Sequence, residues 1–586
     1  MILFHAIVAC LIIAACTTSS SGSSVPHVKL ATGELEGLIG VSRSGREFHK
    51  FLSIPYGKVS KRFAISEPAD PWSGVKKAID SGEGCISYDM FGGVSGSENC
   101  LTLDVYKPIT NSSNGESKLL EVMVWIYGGG FISGSTESYD GNFFMDKDVV
   151  LVLMNYRLGA IGFLNLGTPT ARGNQGLKDQ VLALRWVQDN IAHFSGDKEK
   201  VTIFGESAGS VSVSLMLTSP MTRDAGLFHR AIMQSGTSLM PAIYNGADGP
   251  TLARRLGQAV DCPTSNDDYL VECLQKIDPK ILGGFGKFND EFGYDENAII
   301  VGPSFEIYKQ GENDDRIFMS EDPYVSAKNG KIAKVPTIIG LMHTESGWSA
   351  LPVINNSTTL NRLNFQWTRR LASMLYMSKT AEDPGSISER IKQQFFGGKK
   401  VSNDSQGVAE LEHLLDERHW IHPVRILAPQ LFKHNGGFVY LYNFTKPMLS
   451  LPPPFGNGLQ RKASHGDDVK FFFGIRGYFA KFMPGLNEDE TKLSKTLVDM
   501  WVEFAKQGKP KPLWGAGSET GAETIKHWPP AFTTSDTTTV DHQLPTFLYV
   551  DDEPNVNKVG DWYQNNGQFW DGLSLKEYGK KWVSEN

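Results

Sequence analysis

The chain has 586 residues and a net charge of −8, with 40% apolar and 21% charged residues. That apolar share fills a large core and excludes wholesale disorder, while the acidic balance, without a dense Lys/Arg run, excludes nucleic acid as an electrostatic partner. Only one long apolar stretch exists, at the N-terminus, so a polytopic membrane protein is excluded too.

Residues 2–16, ILFHAIVACLIIAAC, are apolar apart from His5 and run into TTSSSGSS. An apolar segment of about 7–15 residues ending in small residues reads as a cleaved secretory signal, here residues 1–18, too short to span a bilayer. It lacks the usual positive start. The alternative is a membrane anchor or a lipid-modified Cys16 after Ile-Ala-Ala. Removing Cys10 and Cys16 with the leader leaves Cys85, Cys100, Cys262 and Cys273. An even number in a secreted chain implies two disulfides, and three pairings are open. Pairing sequence neighbours closes the shortest loops, and a loop of ~15 residues is worth about 3 kcal/mol in the chain-entropy model. Neither neighbouring pair has zinc-site spacing or an adjacent His. Sequons at Asn111, Asn355, Asn356, Asn403 and Asn443 fit the same export route and predict surface positions.

After residue 25 no long linker or fixed-period repeat divides the chain, so residues 26–586 are read as one large domain although ~150 residues per domain would suggest about four. Val122–Tyr127 (VMVWIY) is the first continuous apolar run and predicts a strand covered on both faces. It leads into Gly128–Gly129–Gly130–Phe131. Glycines directly after a strand let backbone N–H groups turn towards one point. With the Ala208 N–H, Gly129 and Gly130 would give three donors for a carbonyl oxygen becoming an oxyanion. A phosphate loop fails on spacing, because Ser133 stands where a third glycine is needed, and a simple turn is the plainer alternative. Val149–Tyr156, Val201–Phe204, Ala231–Gln234, Thr337–Gly340 and Phe438–Phe444 read as further buried strands. Between them Leu177, Val181, Leu184, Val187 and Ile191 share one helical face. Alternating strands and helices predict an α/β fold with a mostly parallel sheet wrapped by helices.

The strand at Val201–Phe204 runs into Gly205–Glu206–Ser207–Ala208–Gly209 and then into a helical stretch. In that context G-x-S-x-G is a nucleophile elbow, with Ser207 raised above the sheet at a helix N-terminus. Ser235, in Gln-Ser-Gly after another strand, lacks the first glycine and reads as structural. A serine hydroxyl needs a base, and the base needs a third group to hold it. The chain order Ser, acid, His selects Glu345, just past the strand at Thr337–Gly340, and then His465 in Ala-Ser-His-Gly-Asp-Asp. His343 precedes the acid and breaks that order; His527 and His542 are isolated in Pro/Thr-rich loops. The Phe-rich stretch 471–482 reads as core rather than pocket wall.

These segments together resemble the type-B carboxylesterase/cholinesterase family of α/β-hydrolases, from about Val28 to Tyr549. The resemblance is carried by Ile54–Pro55–Tyr56 with Arg62–Phe63, by Ser97–Glu98–Asn99–Cys100–Leu101, by Trp125–Phe131, Asn155–Leu158 and Gly173–Gln180, and by the Ser207 elbow, Glu345 and His465–Gly466–Asp467. It implies an α/β-hydrolase fold, a triad of Ser207, Glu345 and His465, and an oxyanion hole of Gly129, Gly130 and Ala208. It also implies disulfides Cys85–Cys100 and Cys262–Cys273, an Arg62–Glu98 ion pair, and an electrostatic role for Glu206. Four departures stand out: a short Tyr56–Arg62 loop without the family's usual Pro pair, Asn99 where Asp is usual, no Trp between Cys85 and Cys100, and Glu206 where juvenile-hormone esterases usually carry Gln. The missing Trp argues against choline esters, whose quaternary ammonium needs an aromatic face.

The expectation is therefore a secreted serine esterase that acts on a small-molecule ester, with no metal, organic cofactor, nucleic acid or stable membrane anchor. A catalytically silent adhesion ectodomain of the same fold and a stoichiometric scavenger of organophosphates or hydrophobic esters are the alternatives. With an unperturbed base, activity would rise through about pH 6.5.

Overall fold

The computed structural model describes residues 25–88, 93–110, 118–245, 249–285, 302–306, 316–449, 460–476, 480, 485–510, 528–533, 540–551, 555–558, 563 and 566–580. Eleven strands form its main sheet: β1 (Leu38–Val41), β2 (Glu47–Pro55), β3 (Thr102–Pro108), β4 (Leu120–Ile126), β5 (Val150–Met154), β6 (Gly196–Glu206), β7 (Arg230–Gln234), β8 (Thr337–Met342), β9 (Val439–Phe444), β10 (Thr546–Val550) and β11 (Asn555–Lys558). Their order across the sheet is β11-β10-β9-β8-β7-β6-β4-β5-β3-β2-β1. From β10 to β5 every pairing is parallel. Antiparallel strands close both edges.

The six predicted strands all lie in this sheet, and β4, β5, β8 and β9 are buried along their whole length. Two covered faces demand apolar residues at every position, which is why these strands are visible as continuous runs. The antiparallel strands were not visible in that way. In β2, EFHKFLSIP, buried positions are interleaved with partly exposed ones, so charged residues interrupt the pattern. The predicted helical face lies in α1 (Gln175–Asn190), and Leu177, Val181, Leu184, Val187 and the following Ile191 are all buried.

Chain direction across the sheet creates the crevice. From β4 the chain passes to β5 on one side and then crosses back to β6 on the other. In open α/β sheets, ligands bind beyond the carboxyl ends of strands at such a reversal. The elbow Gly205–Gly209 sits there, between β6 and α2 (Ala208–Thr218).

Two apolar clusters are buried. The larger covers the sheet; in it Trp125 meets Phe204 at 4.9 Å and Phe473 at 4.7 Å between ring centroids. Phe471, Phe472 and Phe473 are core, as expected, while Phe479 and Phe482 of the same stretch lie outside the described residues. The smaller cluster gathers helices that include α3 (Gly347–Asn355) and α4 (Ser405–Asp416), with Val353, Leu371, Ile391, Leu411 and Trp570 inside. A π-helical turn, Glu417–Ile421, joins α4 to α5 (His422–His434). Later in the chain α6 (Glu488–Gln507) starts from a capping box of Asn487 and Glu490 and brings Trp501 into the larger core.

Cysteines pair with their sequence neighbours, Cys85–Cys100 and Cys262–Cys273, with Cα atoms 4.9 and 5.8 Å apart. Arg62 grips Glu98 through two bonds of 2.7 and 2.6 Å and donates to the carbonyls of Leu274 and Ile277. One guanidinium thus ties the first disulfide loop to the chain that directly follows the second. Asn355, Asn356 and Asn403 are exposed, in keeping with their sequons. Asn443 corrects the expectation: it is 5% exposed on β9, between β8 and β10, where a folded chain has no room for a glycan. Asn111 and the leader at 1–18 lie outside the described residues. Among the described residues, no helix is long and apolar enough to cross a membrane.

A Cβ built on Gly209 would lie 1.9 Å from the carbonyl oxygen of Ile126, at the end of β4. The strand terminus and the helix start therefore touch backbone to backbone. Gly209→Ala is expected to destabilise the fold by ~3 kcal/mol or more, read as a lower urea midpoint with an unchanged slope.

Candidate active site

Ser207 holds a backbone conformation that side chains rarely adopt, with φ 56° and ψ −122°. Such strain, ~1–3 kcal/mol, persists only where the surroundings enforce it. Here the Ser207 N–H donates to the Gln234 carbonyl at 2.9 Å, and its own carbonyl accepts from Val211 at 2.9 Å within the first turn of α2. Its neighbours Glu206 and Ala208 are buried, and Ser207 itself is partly exposed.

The glycine loop after β4 packs directly on this elbow. A Cβ on Gly128 would sit 2.9 Å from Cβ of Ser207 and 2.7 Å from the Glu206 carbonyl oxygen. Gly129 has φ 112° and Gly130 φ 62°, and the Gly129 carbonyl accepts from both Ile132 and Ser133, which curls the loop. Among the described residues neither the Gly129 nor the Gly130 N–H donates to a backbone carbonyl. The Ala208 N–H is at the first position of α2, where the helix offers no carbonyl partner. The Gly129 and Gly130 N–H groups thus follow the glycine that packs on the elbow, and among the described residues neither they nor the Ala208 N–H donates to a main-chain carbonyl.

Glu345 lies three residues beyond β8 and is 1% exposed. Its Oε1 accepts the Met342 N–H at 2.9 Å, and its Oε2 lies 2.8 Å from Nδ1 of His465. The loop carrying His465 is fastened on both sides. Thr344 N–H donates to the Ala463 carbonyl, and Asp467 accepts from Ser464 N–H and from both terminal nitrogens of Arg461. The structure therefore brings together Glu345 and His465, distant in sequence.

The other ring nitrogen, Nε2, lies 3.3 Å from Oε1 of Glu206, the residue before the serine. That oxygen makes no hydrogen bond of good geometry, so Glu206 acts on the imidazole through its charge. Burial alone would lower the His465 pKa. The Glu206 charge, followed by the hydrogen bond and charge of Glu345, reverses this and holds the imidazole well above its ordinary 6.5. Glu206 is itself pushed up by burial, and the imidazole offsets part of that shift. The neutral-base expectation of about pH 6.5 is therefore too low, because two carboxylates favour the imidazolium.

Sequence reasoning missed several groups around this cluster. Asp416 at the end of α4 accepts the Ser346 N–H at 2.7 Å and is pushed up to about 8 by burial, with the Glu345 charge adding to the shift. Asp468 accepts from Gln234 Nε2 at 2.8 Å and from the Tyr442 hydroxyl at 3.1 Å; burial pushes it up to about 6. Trp420, in the π-helical turn, packs against the His465 ring with centroids 4.4 Å apart. Only Asp468 carried a local signal, its place in His-Gly-Asp-Asp. Ser235, read as structural, is fully buried at the end of β7.

A sheet of this order with a sharp serine turn after β6 is the α/β-hydrolase fold. The chain belongs to the carboxylesterase family, whose profile matches residues 24–562, and that membership makes it a carboxylesterase-type serine hydrolase. It is 33% identical to a juvenile hormone esterase of Tribolium castaneum over 517 residues, covering 85% of this chain and 86% of the relative. It is 30% identical to human cocaine esterase over 529 residues, 86% of each chain. A crystal structure of juvenile hormone esterase from Manduca sexta, with OTFP covalently attached, superposes with a TM-score of 0.75 at 23% identity, covering 94% of this chain and 99% of that one; this likeness supports the fold.

Glu206→Gln removes the largest influence raising the His465 pKa. With that charge gone the imidazolium is less favoured and the pKa falls. The acid limb of kcat/KM is expected to move to lower pH by about one unit, and a limb that stays put would show that Glu206 does not act on the base.

Proposed function

We propose that this protein hydrolyses carboxylic esters through an acyl-enzyme, with Ser207, His465 and Glu345 as nucleophile, base and orienting acid. The observation that carries this reading is the 2.8 Å contact between the buried Glu345 and Nδ1 of His465, whose other nitrogen lies 3.3 Å from Glu206, the residue before a serine held at φ 56°. Nε2 of His465 takes the Ser207 proton as Oγ attacks the ester carbonyl carbon. Negative charge moves to the carbonyl oxygen, which accepts from the N–H groups of Gly129, Gly130 and Ala208; losing one such donor typically costs ~3 kcal/mol. The tetrahedral intermediate collapses, the bond to the alcohol oxygen breaks, and His465 protonates the departing alcohol. Water then attacks the acyl-serine with His465 again as base, and the acid leaves.

The same reading takes residues 1–18 as a cleaved leader and 26–586 as one catalytic domain working outside the cell. Two disulfides support it, because such bonds persist in oxidising compartments. The substrate class is carboxylic esters, a reading supported by the similarity to a juvenile hormone esterase and a cocaine esterase.

Sustained hydrolysis of p-nitrophenyl acetate is the test. Ser207→Ala is expected to abolish turnover, and Glu345→Gln to lower kcat by ~10³–10⁴-fold by leaving the imidazole without its orienting charge. A single burst without steady turnover in the wild-type protein would instead indicate stoichiometric capture. Full activity in Ser207→Ala would overturn the assignment.

A further inference from the structure

We propose that Trp420 is a positioning residue for this reaction: its indole face fixes the tilt of the His465 imidazole and stabilises that ring once it is protonated. The proposal rests on the triad reading above. Glu345 and Glu206 meet the imidazole at its two nitrogens, 2.8 and 3.3 Å away, and both hold it by its edges. Edge contacts leave the ring able to rock about the line between its nitrogens. Trp420 packs on the ring, with centroids 4.4 Å apart and planes inclined by 42°. It is 8% exposed, and the His465 side chain 13%.

A cation within ~6 Å of a Trp ring is drawn to its negative face, and the effect grows when water is excluded. The base becomes such a cation each time it accepts the serine proton. A face that attracts the imidazolium but is indifferent to the neutral ring acts in the transition state more than in the resting enzyme.

The chain invests an unusual backbone feature in placing this side chain. Trp420 stands in the π-helical turn Glu417–Ile421, and π turns inside longer helices are rare and concentrate at functional sites. The turn is locked from behind. Arg418 is fully buried and bonds both oxygens of Glu577 at 2.9 and 2.7 Å, with a further bond to the Leu375 carbonyl at 3.0 Å. Glu417 accepts from Arg425 at 3.2 Å. These charges are paired within their own surroundings. The titratable groups that act on the imidazole come from elsewhere: Glu206 from the elbow, Glu345 after β8, and Asp468 on the histidine's own loop. Trp420 therefore adds an uncharged bias that no carboxylate supplies.

Trp420→Leu removes the aromatic face while keeping the position apolar, and Trp420→Phe keeps a weaker face. Each is compared with the wild type by kcat/KM against pH on p-nitrophenyl acetate, with active sites counted by end-point labelling with a fluorophosphonate. The Leu variant is expected to lose about tenfold in kcat per labelled site with little change in KM, and its acid limb to move to lower pH by about half to one unit. The Phe variant is expected to recover most of both. An acid limb in Leu that coincides with the wild type would overturn the proposal, as would equal losses in Leu and Phe with no movement of the limb. Should the Leu variant not fold, the Phe variant decides alone, by a smaller shift in the same direction or none. His465→Ala run alongside separates the two failures: if it keeps full activity the triad reading falls, whereas an inactive His465→Ala with an unaffected Trp420→Leu removes the tryptophan's role only.

Discussion

Backbone packed on backbone at the end of β4 is the constraint from which the site follows. The first turn of α2 approaches Ile126 and Tyr127 so closely that position 209 has no room for a Cβ, and Gly205 is hemmed in by the same Ile126 carbonyl. A helix that must start so near a strand leaves a single residue in which to reverse direction. Ser207 absorbs that reversal in its unusual φ and ψ, and the cost is offset by its bond to Gln234 and by the buried strands on either side. The same approach brings Gly128 against Ser207. One packing contact thus sets both the exposure of Ser207 and the place of the glycine loop against it.

Around this rigid elbow lies an uneven distribution of charge. Glu206, Glu345 and Asp468 are buried and act on one imidazole, and Asp416 is buried within reach of the Glu345 charge. Four ionised carboxylates in so dry a place would repel one another, and burial with mutual repulsion pushes Glu206, Asp416 and Asp468 upwards. Glu345 has a partner for each oxygen, Met342 N–H on one and His465 on the other.

The smaller helical cluster is tied to the chemistry by two short links. Ser346, next to Glu345, donates to Asp416 at the end of α4, and four residues later Trp420 meets the imidazole. Beyond it, Arg418 and Glu577 fasten the C-terminal stretch to the same turn. The stability of a segment far along the chain is therefore connected with the placement of a ring beside His465.

Much of the architecture was legible because local sequence carries it. Strands covered on both faces must be apolar throughout, so VMVWIY and VVLVLMNY announced themselves, whereas the antiparallel β2, with only some of its residues buried, mixes charges into its pattern. The elbow and the glycine loop were legible because each is a contiguous motif demanded by backbone geometry. The sequon at Asn443 misled for the converse reason: three residues match a motif, but only the sheet shows that β9 is enclosed by its neighbours. The sequence by itself determined the kind of sheet, the turn that carries Ser207, and the residue types available for chemistry. Tertiary structure alone decided which carboxylates crowd the imidazole, that they raise its pKa, and that a tryptophan from a π-helical turn packs against it at a tilt. Those are effects of distance and dehydration between segments far apart along the chain, and no local pattern encodes them.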